Sequence, residues 1–351
     1  RSTQERGSVI RVGILNVTGY LGVETVRLLA RHPEVTIAGV TGRSAVGKRL
    51  ADVYPHVRGI DLTIEEELRD VDAVISALPH AAAAEALLPY IRRGLPVVDL
   101  SADFRLKDAA EYERWYGVAH PAPGLLAQAV FGLPELHRDE IRNARTVGAP
   151  GCFPTGAILS LAPLVREGVI EDDIVVDAKT GLSGAGRTLG LAVHFSEADE
   201  SVDAYGLGGH RHLPEIQQEL ARLREGPAPA VTFVPHHIPM VRGILGTSYA
   251  KARPGKLPAG RETEALRELF RDFYEGHPFA VVPASAPATK HVAGTNDCLL
   301  YPLYDARTGR VIVVSALDNL VKGGAGQGVQ CLNLMFGLPE DMGLRALAMY
   351  P

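Results

Sequence analysis

With 351 residues, 46% of them hydrophobic, the chain holds more apolar material than a single core usually takes up, which predicts two domains and excludes wholesale disorder. A formal net charge of −5, without long runs of one sign, argues against nucleic acid or an anionic membrane as the main partner. No apolar run reaches the length of a membrane span, and residues 1–7 read as a frayed polar tail without the apolar core of a signal peptide. Three widely separated cysteines, Cys152, Cys298 and Cys331, fit a reducing compartment, the cytoplasm, better than a disulfide or zinc framework.

Residues 9–15 read as a short apolar strand that runs into Asn16-Val17-Thr18-Gly19-Tyr20-Leu21-Gly22, followed at once by a helical pattern with Val23, Val26 and Ala30 on one face. Strand, glycine-bearing turn and helix is the arrangement that holds a dinucleotide pyrophosphate at a helix N-terminus. Asn16, Thr18, Gly19, Tyr20, Leu21 and Gly22 are therefore candidate cofactor contacts. Asn16 stands where the usual fingerprint has glycine, and asparagine tolerates left-handed backbone better than most residues.

A second strand, residues 35–40, ends in Thr41-Gly42-Arg43-Ser44 with Lys48 nearby. A site for NAD would place an acid there, whereas Arg43 beside the hydroxyl of Ser44 suits a 2′-phosphate, so the expected cofactor is NADP(H). The alternative is that Arg43 and Lys48 are solvated loop charges. Strand-like runs at 71–78 and 96–100 flank a helical segment at 81–92, an alternation that predicts a parallel sheet covered on both faces. Pro79 and Ser101 lie just past strand ends, where ligands bind in open α/β sheets. Asp103 and Arg105 serve equally as ligand groups or as a structural ion pair. Residues 108–143 read as surface helices and loop.

Gly148-Ala149-Pro150-Gly151-Cys152-Phe153-Pro154-Thr155-Gly156 places one thiol in a turn before a helical pattern of Ile158, Leu161, Ala162 and Val165. Pro154 suits a first helical position, so Cys152 should sit at the helix start, where the dipole lowers a thiol pKa and makes a nucleophile. The competing reading is a small buried residue in a tight turn. Beyond Cys152 the segments 175–180, 231–235, 247–250, 279–282, 297–303 and 311–315 are β-rich, with clear helices at 214–223 and 263–274, which predicts an α+β domain with a mixed or antiparallel sheet. A last helical segment at 326–336 follows Lys322-Gly323-Gly324-Ala325-Gly326. The expected fold is α/β: a Rossmann-type parallel-sheet domain over 1–151, with 320–351 packing back on it, and a catalytic and oligomerisation domain over 152–319.

Two further stretches carry chemistry. Gly181-Leu182-Ser183-Gly184-Ala185-Gly186-Arg187 allows close backbone approach to a ligand, and Gly208-Gly209-His210-Arg211-His212-Leu213-Pro214-Glu215 precedes a helix. In an extended segment His210 and His212 point one way and Arg211 the other. A thiolate needs a neighbour that accepts and returns a proton, and neutral histidine suits that task. A metal is not expected, since no third ligand at a familiar spacing accompanies the two histidines.

Taken together and in order, the Gly-Cys-Phe-Pro-Thr turn, the Ser-Gly-Ala-Gly-Arg loop, Gly-His-Arg-His-Leu-Pro-Glu-Ile, Ser-Ala-Asp-Phe-Arg and Asp-Asn-Leu-Val-Lys-Gly-Gly-Ala-Gly-Gln resemble the N-acetyl-γ-glutamyl-phosphate reductases, relatives of aspartate-semialdehyde dehydrogenase. The resemblance implies Cys152 as nucleophile and His212 as acid/base, with His210, Arg211 and Glu215 shaping or binding substrate. It puts Ser183, Gly184 and Arg187 near cofactor and substrate, and Asn319 to Gly323 near the nicotinamide. It implies reduction of a small acyl phosphate through a cysteine thioester, with His212 acting as imidazolium, in a homodimer or homotetramer. Arg187 and Arg211 are suited to bidentate grip of phosphate or carboxylate. Two alternatives are a reductase for a carrier-linked aminoadipyl or glutamyl phosphate and a redox-inactive nucleotide-binding protein of the same fold.

Overall fold

The computed structural model describes residues 9–351; the expected N-terminal tail lies outside the described residues. The first seven strands, β1 (Ile10–Leu15), β2 (Val35–Thr41), β3 (Ile64–Glu65), β4 (Ala73–Ser76), β5 (Val97–Asp99), β6 (Val130–Phe131) and β7 (Thr146–Gly148), form one sheet in the order β3-β2-β1-β4-β5-β7-β6. Every pairing in it is parallel. Its central strands are continuous apolar runs, and all four residues of β4 are buried, because crossover helices cover both faces.

Within 108–143 the expectation of surface helices and loop needs correction. The segment contributes edge strand β6, and Tyr112 and Phe131 are almost wholly buried. Strands of two residues leave no periodic trace in a sequence.

The second sheet is mixed: β8 (Ile170–Gly181), β9 (Asp203–Ala204), β10 (Ala230–Ile238), β11 (Ile244–Ala252), β12 (Ala280–Val281), β13 (Cys298–Asp305) and β14 (Arg310–Leu317) run in the order β12-β13-β14-β11-β8-β10-β9. β8 alternates buried Ile174, Val176, Ala178 and Thr180 with half-buried Val175, Asp177 and Lys179, the mark of a sheet with one face packed. Against that face lies the Cys152–Arg166 helix, buried continuously from Phe153 to Val165. After β14 the chain makes a π-helical turn, Val321–Ala325, and the Gly326–Met335 helix packs against helices Tyr20–Leu29 and Pro134–Arg142 of the first lobe. Both sheets thus point loops at one cleft.

Candidate active site

The turn after β1 has the form expected for phosphate binding. Asn16 takes φ 64°, the left-handed conformation asparagine tolerates. Its Nδ2 donates to the Ala77 carbonyl (2.8 Å), tying the turn to the end of β4. No side chain caps the Tyr20–Leu29 helix, whose N-cap is Gly19. The helix start faces a cavity of about 570 Å³ lined by Asn16, Thr18, Gly19, Tyr20 and Leu21 from this turn, and by Ser44, Pro79, Gly184, Asn319 and Gly323 from elsewhere. Uncapped N–H groups, a lining of small residues and a volume in the range of cofactor sites fit a dinucleotide.

Three expected cofactor contacts lie elsewhere. Gly22 is not in the cavity wall; a Cβ there would stand 2.3 Å from the Asn16 carbonyl oxygen, so this glycine lets helix and turn pack. Ser101 is buried, donating to Asp99 Oδ2 (2.5 Å) and accepting from the Asp103 amide, and its neighbour Leu100 lines the cavity instead. Arg43 is exposed beside the cavity, whereas Ser44 is in its wall.

Cys152 opens its helix after Gly151, with no side-chain cap. The His212 ring is pressed on Gly151: a Cβ at 151 would stand 2.5 Å from Nε2, 2.7 Å from Cδ2 and 2.9 Å from Cε1. On another side Gly323 of the π-turn abuts the cysteine, since a Cβ there would come within 2.7 Å of Cys152 Cβ. Residues distant in sequence thereby enclose one sulfur.

Beneath it lies a buried ion pair. Arg105 donates to Glu215 (3.0 Å), to the Ala149 carbonyl (2.6 Å) and to the Leu100 carbonyl (2.8 Å). Glu215 also accepts from the Gly151 amide (2.9 Å). Fully buried, Glu215 does not reach the cavities; its carboxylate joins the cysteine turn to the helix that follows His212. Arg105 and Asp103 are therefore not partners of each other. Asp103 accepts from the amides of Ala81, Ala83 and Ala84, holding the start of the Ala83–Arg92 helix.

A second cavity of about 340 Å³ adjoins the first, and Cys152, Gly184 and His212 line both. His210 and Arg211 line this one, as do His80, Tyr116, Tyr205 and His237. Ser183 and Arg187 line the first. The Arg187 guanidinium sits 4.9 Å over the Tyr54 ring and donates to the Thr18 carbonyl (3.2 Å), so it is placed on the dinucleotide side. Asn319 is committed to the frame, donating to Ser183 Oγ (2.9 Å) and accepting from the Gly243 amide (2.7 Å). Tyr54, Tyr116, Tyr205 and His237 carry no motif in the sequence, and only their positions in the fold reveal them.

The electrostatics correct one expectation. Burial pushes the Cys152 thiol up to about 11, and Arg105 and the Phe153 amide oppose without overcoming it. Burial, reinforced by the charges of His210, Arg105, His80 and Arg211, holds His212 well below its ordinary value. The resting pair is thus neutral thiol and neutral imidazole, and His212 begins as a base rather than as imidazolium. His212 Nδ1 is buried without a hydrogen-bond partner.

A parallel dinucleotide-type sheet joined to a mixed sheet, with a cysteine and a histidine where two cavities meet, is the architecture of a two-lobed dinucleotide-binding protein. Residues 11–144 match the family described as semialdehyde dehydrogenase, NAD binding domain, and residues 152–319 that described as semialdehyde dehydrogenase, dimerisation domain; the chain belongs to this family. It is 51% identical, over 97% of its own length and 99% of the relative's, to the N-acetyl-gamma-glutamyl-phosphate reductase of Dehalococcoides mccartyi. It is 49% identical, with the same coverage, to the protein of that name from Pelotomaculum thermopropionicum. Among solved structures, aspartate semialdehyde dehydrogenase II of Vibrio cholerae superposes with a TM-score of 0.71 at 15% identity over 94% of this chain and 99% of that one, a likeness of fold. The Candida albicans enzyme solved with NADP gives 0.67 at 17% identity, again over 94% and 99%.

Proposed function

We propose that the chain reduces N-acetyl-γ-glutamyl phosphate to N-acetyl-glutamate γ-semialdehyde with NADPH, releasing phosphate through a thioester on Cys152. The observation that carries the reading is that Cys152 and His212 line both cavities, so acyl group and dinucleotide can meet at one sulfur. NADPH would be held along the uncapped Tyr20–Leu29 helix, with Ser44 in the cavity wall and the exposed Arg43 beside it to take the 2′-phosphate, Arg187 to grip the dinucleotide, and Pro79, Gly184, Asn319 and Gly323 to frame the nicotinamide.

His212 takes the Cys152 proton as the acyl phosphate enters, and the thiolate attacks the acyl carbon. The carbon–oxygen bond to phosphate breaks, His212 hands its proton to the departing phosphate oxygen, and a thioester remains. Bound NADPH supplies the hydride that reduces this thioester. The resulting hemithioacetal oxyanion expels the thiolate, which returns to thiol with a proton from solvent. Arg105 and Glu215 act through position, fixing the turn on which the sulfur moves.

Cys152→Ser is expected to lose nearly all NADPH oxidation while still binding NADPH; wild-type turnover in that variant would end the covalent scheme. Arg43→Glu is expected to raise the KM for NADPH with little change in kcat. The reverse assay, NADP reduction with N-acetyl-glutamate semialdehyde and phosphate beside the aminoadipate analogue, separates this substrate from the carrier-linked kind.

We further propose a cytoplasmic homodimer. Half-buried Leu245, Tyr249, Tyr301, Ile312 and Val314 form an apolar row on the sheet face opposite the helices, suited to a second copy. Light scattering that gave a monomer would reject this; a tetramer would require a second face.

A further inference from the structure

The second cavity has one wall built as a flat aromatic plate. Tyr205 and His237 stack with ring centroids 3.9 Å apart and planes at 6°, and both line the cavity. Their backbones fix the plate from two directions. Tyr205 follows β9 and its amide donates to the Pro235 carbonyl (3.1 Å), while His237 lies in β10 with its Nδ1 3.4 Å from Asp203 Oδ2. His210 packs its edge on Tyr205 at 5.5 Å.

The charge of the wall points the same way. Among the described residues, no carboxylate lines this cavity; Asp203 stands behind His237, and Glu215 is spent on Arg105 and Gly151. Burial holds His80 and His210 down to about 4, so both are neutral near pH 7, and Arg211 supplies the fixed charge. A substrate ammonium would find a guanidinium and no counter-ion, whereas a planar amide would find a flat aromatic shelf and a carboxylate would find Arg211.

Resting on the proposed function, we infer that the Tyr205–His237 stack is the specificity element that receives the acylated nitrogen of the substrate, and that this cavity rejects the same acyl phosphate bearing a free amine.

The test uses a readout independent of turnover. Cys298 and Cys331 are fully buried, so iodoacetamide reports on Cys152, followed by intact mass. In the wild type, N-acetyl-L-glutamate should protect Cys152 at concentrations at least about tenfold below those at which L-glutamate does. Tyr205→Leu and His237→Leu should each lower that ratio about three- to tenfold, the range of a lost aromatic contact, while Tyr205→Phe keeps it. The KM for the acyl phosphate should rise with little change in kcat, and NADPH fluorescence titration should be unaltered. Should a leucine variant fail to fold, His237→Gln removes the ring while keeping a polar side chain. An undiminished ratio in the variants that fold would overturn the inference and leave the proposed function standing. A wild type protected by neither acid would overturn the inference, and the reverse assay would decide the proposed function separately.

Discussion

Replacing Gly151 by alanine isolates the placement of His212 from every other property of the site. The residue has φ −63° and ψ 155°, which alanine adopts freely, so no backbone strain enters. Its amide bond to Glu215 is unaffected in kind. The added methyl would meet three imidazole atoms at 2.5, 2.7 and 2.9 Å, where ordinary contact begins at 3.4 Å. The ring must retreat by most of an ångström, and a displacement of that size at a proton-transferring group costs on the order of 100-fold in rate, or about 2.7 kcal/mol in the barrier. Losing glycine from the N-cap and seating a methyl in this buried site cost folding about 1–3 kcal/mol. Thus kcat/KM for the acyl phosphate should fall about 100-fold, while NADPH affinity barely moves and the thermal midpoint drops by only a few degrees, too little to account for the lost rate. Gly190→Ala, with open space around the added methyl, is the control. If Gly151→Ala turned over at the wild-type rate, His212 would not be the proton carrier.

Three other outcomes follow from the structure. Because burial raises the Cys152 thiol to about 11, its alkylation in the ligand-free protein should still be climbing with pH at pH 9; a plateau below pH 7 would contradict a neutral resting pair. Asn16→Leu should destabilise the protein by about 1–2 kcal/mol, the cost of a bulky residue at positive φ, and raise the NADPH KM, whereas Asn16→Gly should cost less than about 1 kcal/mol by urea titration. Glu24, though burial pushes it upward, is held below the usual carboxylate range by Arg242 and Arg27, so the folded state binds fewer protons than the unfolded chain in acid. Its contribution is intact above the unfolded pKa, about 4.5, and disappears as pH falls through the folded value. Melting temperatures from pH 7 to 3 should therefore drop more steeply for wild type than for Glu24→Gln.

Much of this molecule is legible in its residues. The strand–turn–helix after β1, the cysteine at a helix start and the change from parallel to mixed sheet all leave local patterns, because glycine, proline and apolar period act over a few positions. What stayed hidden depends on distance in sequence. Nothing near Arg105 announces Glu215, which lies 110 residues on, and nothing near Tyr205 announces the ring of His237. The direction of the Cys152 shift was hidden for the same reason: the helix dipole can be read from the turn, but the burial that outweighs it is assembled from both lobes. Ser101 sits at the expected strand end yet turns inward to Asp99.

The apolar core of the first lobe joins Val12, Val40 and Val98 to Val321, Val329, Leu332 and Leu344. A ribosome makes those two groups far apart in time. Until residues 321–344 have emerged, the nucleotide-binding lobe lacks a wall of its own interior, so the strands and helices made first wait on the last part of the chain. The second sheet waits almost as long, because its inner strands β13 and β14 end only at Leu317, so the two walls of the cleft are completed together, late in synthesis.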